Sequence, residues 1–185
     1  MAFSSYSRCL DDSRYRTMKL IFLDIDGVLN SSEYGNSIEY LTETSGMSDA
    51  EIMLIAHHTH LDPKALKLVN DLVKRSGAQV ILSSTWRGKY TCEEMTEMMK
   101  GRGADFVISD ATPALFGKVH SSRIPRGKEI GHYLKLLEKQ PDAYVILDDH
   151  DDMLDHKKFL IKTNVKVGLT QEDVENALKI LNGDK

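Results

Sequence analysis

The sequence predicts an α/β fold, a parallel sheet with helices on both faces, from three observations. Short apolar runs of strand length recur along the chain without internal alternation, longer stretches with helical spacing and helix-start signals lie between them, and several of the apolar runs end abruptly in Asp or Ser pairs. The plainest case is LIFLDIDGVLN, Leu20 to Asn30, where Asp24 and Asp26 stand one residue apart at the tip of a run otherwise suited to burial.

Residues 1–17 are polar and without period, and read as an N-terminal extension to one domain over residues 18–185. Lys19 to Leu23 is the first strand. Ser31 to Leu61 is too long for a direct connection in this fold class, so a small helical cap is expected as an insertion at about 31–61. Its second half carries a capping-box pattern, Ser48 with Glu51, ahead of IMLIAHH, which predicts a short helix. His57, His58 and His60 follow. They share no helical face and have no ligand spacing, so they read as polar residues favoured by a helix C-terminus rather than as a metal site. Asp62-Pro63 opens a helix to about Arg75, with Asp62 as cap and proline in the first turn. Gln79 to Leu82 is the second strand, Thr91 to Arg102 a helix with the capping pair Thr91 and Glu94, and Phe106 to Ile108 the third strand. Gly127 to Glu138 is helical, Tyr144 to Leu147 is a strand, Phe159 to Ile161 and Val165 to Val167 are short strands, and Thr170 to Leu181 is a final capped helix.

With 185 residues and 41% hydrophobic content, the chain can bury one substantial core but not two. A net charge of -4 argues against a broad basic surface for duplex nucleic acid. Cys9 and Cys92 are far apart and outside any CxxC spacing, which excludes a disulfide framework and a cysteine zinc site and fits a reducing compartment. No run approaches the roughly 18 apolar residues of a membrane span and the N-terminus lacks a signal-peptide centre, so a cytoplasmic protein with no membrane partner is expected. Nothing in the sequence specifies an oligomeric state.

In open α/β sheets, ligands bind beyond the carboxyl ends of the strands. Asp24 and Asp26 stand at such an end, and so do Ser83 and Ser84 in VILSSTWR and Asp148 and Asp149 in YVILDDHDDM. Parallel strands bring these tips together. Carboxylates so crowded call for a hard divalent cation with oxygen ligands, and magnesium fits best. A carboxylate beside it can attack phosphorus, because the cation also neutralises the phosphoryl oxygens.

DIDGV, the serine after the second strand, the RGKEI helix start and the DDHDD loop stand in the order and spacing of the haloacid dehalogenase-like (HAD) hydrolases, which the chain resembles from Lys19 to about Leu181. More narrowly, FLDIDGVLN, SSTWR and RGKEIGHYL with YVILDD resemble the HAD domains of RNA-repair proteins and of relatives of polynucleotide 3'-phosphatases. The resemblance implies a Rossmann-like core, with Asp24 as nucleophile and Asp26 as the general acid that then activates water, its backbone carbonyl on the metal. It implies Ser83 as the phosphate-binding hydroxyl, with Ser84 as the alternative. Asp148 is implied as a direct metal ligand, and Asp149 and Asp152 as ligands directly or through water. The family's usual lysine before the fourth strand is replaced: Arg126 stands in its place and is favoured, with Lys128 two residues later kept open. Trp86 and Arg87 are the expected substrate contacts, one stacking a base and the other holding a phosphate or sugar. The competing reading of Trp86 is a ring packed under the insertion with its N–H bonded to backbone.

These expectations amount to a magnesium-dependent phosphomonoesterase working through an aspartyl-phosphate on a nucleotide or nucleic-acid terminal phosphate. The alternatives are a phosphatase of small metabolites such as sugar phosphates, and a non-catalytic binding module that keeps the fold.

Overall fold

The computed structural model describes residues 17–48, 51, 60–115 and 124–183. Five parallel strands form one sheet: β1 (Lys19–Leu23), β2 (Gln79–Leu82), β3 (Ile108–Ala111), β4 (Ala143–Asp148) and β5 (Leu160–Lys162), in the order β3-β2-β1-β4-β5. β1 is central and covered on both faces, which is why KLIFL is apolar almost throughout instead of alternating. From β1 the chain builds outward through β2 and β3, then crosses back to β4 and β5. The order reverses between β1 and β4, where an open α/β sheet splits to leave a crevice.

Alternate residues of β1 feed two cores. Ile21 and Leu23 face the larger one, closed by α3 (Pro63–Ser76), α4 (Cys92–Lys100) and α6 (Gln171–Asn182) through Leu66, Val69, Met95 and Val174. Leu20 and Phe22 face the other, closed by α5 (Arg126–Leu136) through Ile130 and Tyr133, with the Tyr133 ring edge-on to Phe22 at 5.7 Å. Each such side chain contributes about 1.5–3 kcal/mol by burial.

Helix ends follow the predicted signals. The Asp62 side chain accepts the Lys64 N–H at 2.8 Å and Gly77, at φ 67°, ends α3 in the left-handed conformation. Thr91 with Glu94 and Thr170 with Asp173 form reciprocal capping boxes on α4 and α6. No helix among the described residues is long and apolar enough to cross a membrane.

Three elements differ from expectation. The third strand is Ile108–Ala111, not Phe106 to Ile108; Phe106 is buried in the core but precedes the ladder, and the edge strand itself reads ISDA because it is only partly covered. Val165 to Val167 is a turn: Asn164 accepts the Lys166 N–H through its side chain at 2.9 Å and the Gly168 N–H through its carbonyl at 2.7 Å, leaving both valines exposed. In the insertion, two short helices occupy the first half, α1 (Ser32–Gly35) and α2 (Ile38–Glu43), capped by Ser31 and Ser37. They are too short to show a period. The N–H groups of Ser32 and Glu33 are satisfied by the carbonyls of Val165 and Lys166, and Arg102 ties the insertion down through Glu43 and the Tyr34 hydroxyl. Ser48 and Glu51 do bond reciprocally. The rest of the helix predicted after them, with His57 and His58, lies outside the described residues, as do residues 1–16.

Candidate active site

Strand register sets the site. Leu23 pairs with Leu82 on one side and Leu147 on the other, so Asp24, Ser83 and Asp148 emerge at one level from adjacent tips. The ladder continues one step past β1: the Asp24 N–H donates to the Leu147 carbonyl at 3.0 Å and the Ser83 N–H to the Leu23 carbonyl at 2.8 Å. These backbones are fixed by the sheet, so their side chains inherit its rigidity.

Asp24 and Asp148 are both buried. Asp24 accepts the Ile25 N–H at 2.8 Å and a hydrogen bond from the Ser84 side chain. Burial raises its pKa, opposed by the Arg126 guanidinium and the Ser84 bond. Asp148 is pushed up to about 7, first by burial and then by the charge of Asp24. One of its oxygens accepts the His150 N–H at 2.8 Å; the other, Oδ2, is buried without a hydrogen bond. That oxygen faces Arg126 Nε at 3.5 Å without a hydrogen bond, and a carboxylate so weakly met beside a second buried carboxylate is the arrangement a cation relieves. Carboxylate oxygens of Asp24, Asp148 and Asp149 and a ring nitrogen of His150 all lie within 4.8 Å of one another. His150 was not anticipated; its only signal was its position inside the acidic run DDHDD.

Two glycines permit this approach. Gly27 turns the chain at φ 75°, and a Cβ there would meet the Asp149 side chain at 2.7 Å. A Cβ on Gly127 would lie 2.2 Å from the Met153 carbonyl oxygen, so the start of α5 seats directly on the end of the acidic loop. Asp152 makes that junction. Its side chain accepts the Arg126 N–H and its carbonyl the Gly127 N–H, both at 3.2 Å, capping α5 with a negative charge; it stands outside the four-residue group that could hold a metal.

Of the two cations left open by the sequence, Arg126 enters the site. It is 5% exposed and lies 3.6 Å from Asp24, 3.5 Å from Asp148 and 3.3 Å from Glu129. Lys128 is exposed on another side of α5. Of the two serines, Ser84 bonds Asp24, whereas the Ser83 hydroxyl is buried without a hydrogen-bond partner. Trp86 and Arg87, expected as substrate contacts, are both turned inward. Trp86 is 7% exposed, so its ring offers no open face for stacking, and its N–H donates to Asp26 at 3.0 Å rather than to backbone. The Arg87 side chain is 8% exposed and paired with Glu129 at 2.6 Å. Glu129, which the sequence reading passed over, thus joins two buried guanidinium groups.

Asp26 is exposed and held at both oxygens, by Trp86 and by the Asn30 amide at 2.8 Å. Beside it opens a cleft of about 290 Å³ walled by Asn30, Ser31, Tyr34 and His60. His60 bonds the Tyr40 hydroxyl at 2.6 Å, and burial lowers its pKa against the pull of Asp26.

Residues 20–174 match the family model described as the HAD domain in Swiss Army Knife RNA repair proteins. Two solved structures are similar over most of the chain. The HAD domain of effector protein Lem4 from Legionella pneumophila is 14% identical, covering 91% of this chain and 97% of that one at a TM-score of 0.47. An inactive mutant of the same domain is 13% identical, covering 91% and 96% at 0.48. No curated protein matches the chain.

Proposed function

Because the chain belongs to the family of HAD domains found in Swiss Army Knife RNA repair proteins, we propose that it is a magnesium-dependent phosphomonoesterase acting through an aspartyl-phosphate on a nucleotide or a nucleic-acid terminal phosphate. The observation that carries this reading is the convergence of Asp24, Asp148 and Arg126 at adjacent strand tips, two buried carboxylates sharing one buried guanidinium. A structural ion cluster of this kind would have no use for an exposed second aspartate two residues beyond the first.

In this reading an Asp24 oxygen attacks phosphorus, the bond from phosphorus to the leaving oxygen breaks, and a proton passes from Asp26 to that oxygen. Asp26 then takes a proton from water as the water oxygen attacks phosphorus, the bond to Asp24 breaks and phosphate departs. Arg126 holds the phosphoryl oxygens by charge and by its planar fork, which a lysine would not supply. Ser84, hydrogen-bonded to Asp24, orients the nucleophile, and Ser83 keeps a buried hydroxyl for a phosphoryl oxygen. Asp24, Asp148 and Asp149, with His150 beside them, would hold the magnesium ion, which when bound offsets the repulsion among the carboxylates and neutralises phosphoryl charge. The leaving group faces the cleft beside Asp26. The nucleotide class is supported by the RNA-repair description of the family.

The test is a screen of purified protein with magnesium against nucleotides, 3'-phosphorylated oligonucleotides and sugar phosphates, with Asp24→Asn as control. Turnover of a nucleotide-containing substrate lost in Asp24→Asn is expected. Turnover unaffected by Asp24→Asn would sink the mechanism, and preference for sugar phosphates would sink the substrate class.

A further inference from the structure

Asp26 must aim one oxygen at the leaving group and then at water, yet it is an exposed side chain on a loop, free by itself to rotate. Two donors constrain it. The Asn30 side-chain nitrogen Nδ2 reaches Asp26 Oδ1 at 2.8 Å while the Asn30 side-chain oxygen Oδ1 accepts the Gly27 N–H at 2.9 Å, so the amide has one orientation. The Trp86 indole reaches Oδ2 at 3.0 Å from an element sixty residues away.

Trp86 is itself held on several sides. Its ring is buried, its N–H backbone is received by the Ser84 side chain, its carbonyl accepts the N–H groups of Lys89 and Tyr90 at 2.9 and 3.1 Å, and Tyr90 packs against the ring. An indole is an expensive way to fill this volume. Burying its polar edge requires an acceptor, and the acceptor supplied is the carboxylate that the reaction needs aimed.

Resting on the phosphatase reading above, we propose that Trp86 is a positioning residue that fixes the Asp26 carboxylate for proton transfer to the leaving oxygen. It touches neither phosphate nor leaving group. The serine-then-tryptophan segment after β2 therefore serves both aspartates: Ser84 bonds Asp24, and Trp86, two residues on, bonds Asp26. This role predicts a signature that packing alone does not, because proton donation matters most when the departing oxygen is strongly basic.

The experiment compares Trp86→Phe, which keeps a ring and deletes the N–H, with wild type on a nucleoside 3'-monophosphate and on p-nitrophenyl phosphate, whose leaving group needs little protonation. The expected loss in kcat/KM is about tenfold or more on the nucleotide and under about threefold on the aryl ester, with KM little changed. In an Asp26→Asn background, Trp86→Phe should cost nothing further on the nucleotide. Since Trp86 is the one tryptophan of the chain, its emission reports the contact without catalysis, and Asp26→Ala should shift it. Equal losses on both substrates, or additive losses in the double variant, would reduce Trp86 to packing and overturn the proposal. Unchanged emission in Asp26→Ala would overturn the contact itself. Emission shifted by Asp26→Ala, together with a wild type that hydrolyses neither ester, would instead overturn the phosphatase reading, and the catalytic role with it.

Discussion

Glu129 Oε2 lies 2.6 Å from Arg87 Nη2, and the same oxygen lies 3.3 Å from Arg126 Nη1. One carboxylate oxygen thus separates two guanidinium groups that would otherwise repel in a setting where all three side chains are less than a tenth exposed. Its other oxygen accepts the Leu115 N–H at 3.1 Å. Arg126 is therefore anchored from behind while it faces Asp24. Glu129→Gln keeps the shape and removes the charge, leaving two buried cations with no anion between them. Breaking such a network should cost about 3–5 kcal/mol in denaturant unfolding, and adding Arg87→Met should recover part of it. A loss under about 1 kcal/mol would show that the network is not coupled.

The close seat of Gly127 on Met153 yields a second expectation. A methyl group at 127 would meet backbone, which cannot rotate away, so α5 and the acidic loop must separate. Gly127→Ala should lose about 1–3 kcal/mol or more by overpacking, and should raise the magnesium concentration needed for half-maximal activity, because Arg126 and Asp148 are set by the two elements pushed apart. Wild-type stability and magnesium dependence together would contradict the geometry.

The legibility of the fold tracks burial. KLIFL, QVIL and AYVIL could be read as strands because central parallel strands are covered on both faces, and α3, α4 and α6 because their caps are local sequence events. Ile108–Ala111 could not, since an edge strand need not be apolar, and α1 and α2 could not, since four and six residues make no period. Within the site, order along the chain was enough to bring Asp24 and Asp148 to neighbouring strand tips, whereas Arg126 entered only through the family resemblance, with Lys128 left open. It was not enough for Trp86, whose acceptor is sixty residues distant, or for Glu129, whose two partners come from different segments. Asp152 was legible as an acid beside the site but not as a helix cap, because capping depends on which backbone N–H groups arrive beside it.

A third expectation concerns pH and magnesium. Asp24 and Asp148 both have pKa values raised by burial, Asp148 to about 7 against an ordinary value of 3.8. In the metal-free protein the raised pKa of Asp148 means that the folded state binds protons more tightly than the unfolded chain, so folding is favoured at low pH and this contribution fades as pH rises from about 4 through about 7. On the proposed reading, magnesium would compete for the same oxygens and should stabilise more as pH rises. Thermal midpoints in chelator should fall between about pH 5 and about pH 8, the magnesium-induced rise should be larger at the higher pH, and Asp148→Asn should flatten both. A magnesium effect that is larger at about pH 5 would reverse the sign and exclude the carboxylates as its source.

The last expectation separates Arg126 from Lys128. Two residues along an α-helix are about 200° apart around its axis, so a helix cannot aim both side chains at one phosphate. The first turn of α5 turns Arg126 inward, its backbone N–H on Asp152 and its guanidinium among Asp24, Glu129 and Asp148, and leaves Lys128 in solvent. Arg126→Ala should lower kcat/KM about a hundredfold or more, the scale of losing a preorganised group that meets developing charge. Arg126→Lys should fall between, because an ammonium restores one positive charge but cannot reach Asp24, Glu129 and Asp148 together as the guanidinium does. Lys128→Ala should leave kcat/KM on small substrates unchanged. If Lys128→Ala lost as much as Arg126→Ala, the phosphate would have to approach from the solvent side of α5, and the buried cluster around Asp24 would be a structural ion network instead of a reaction centre.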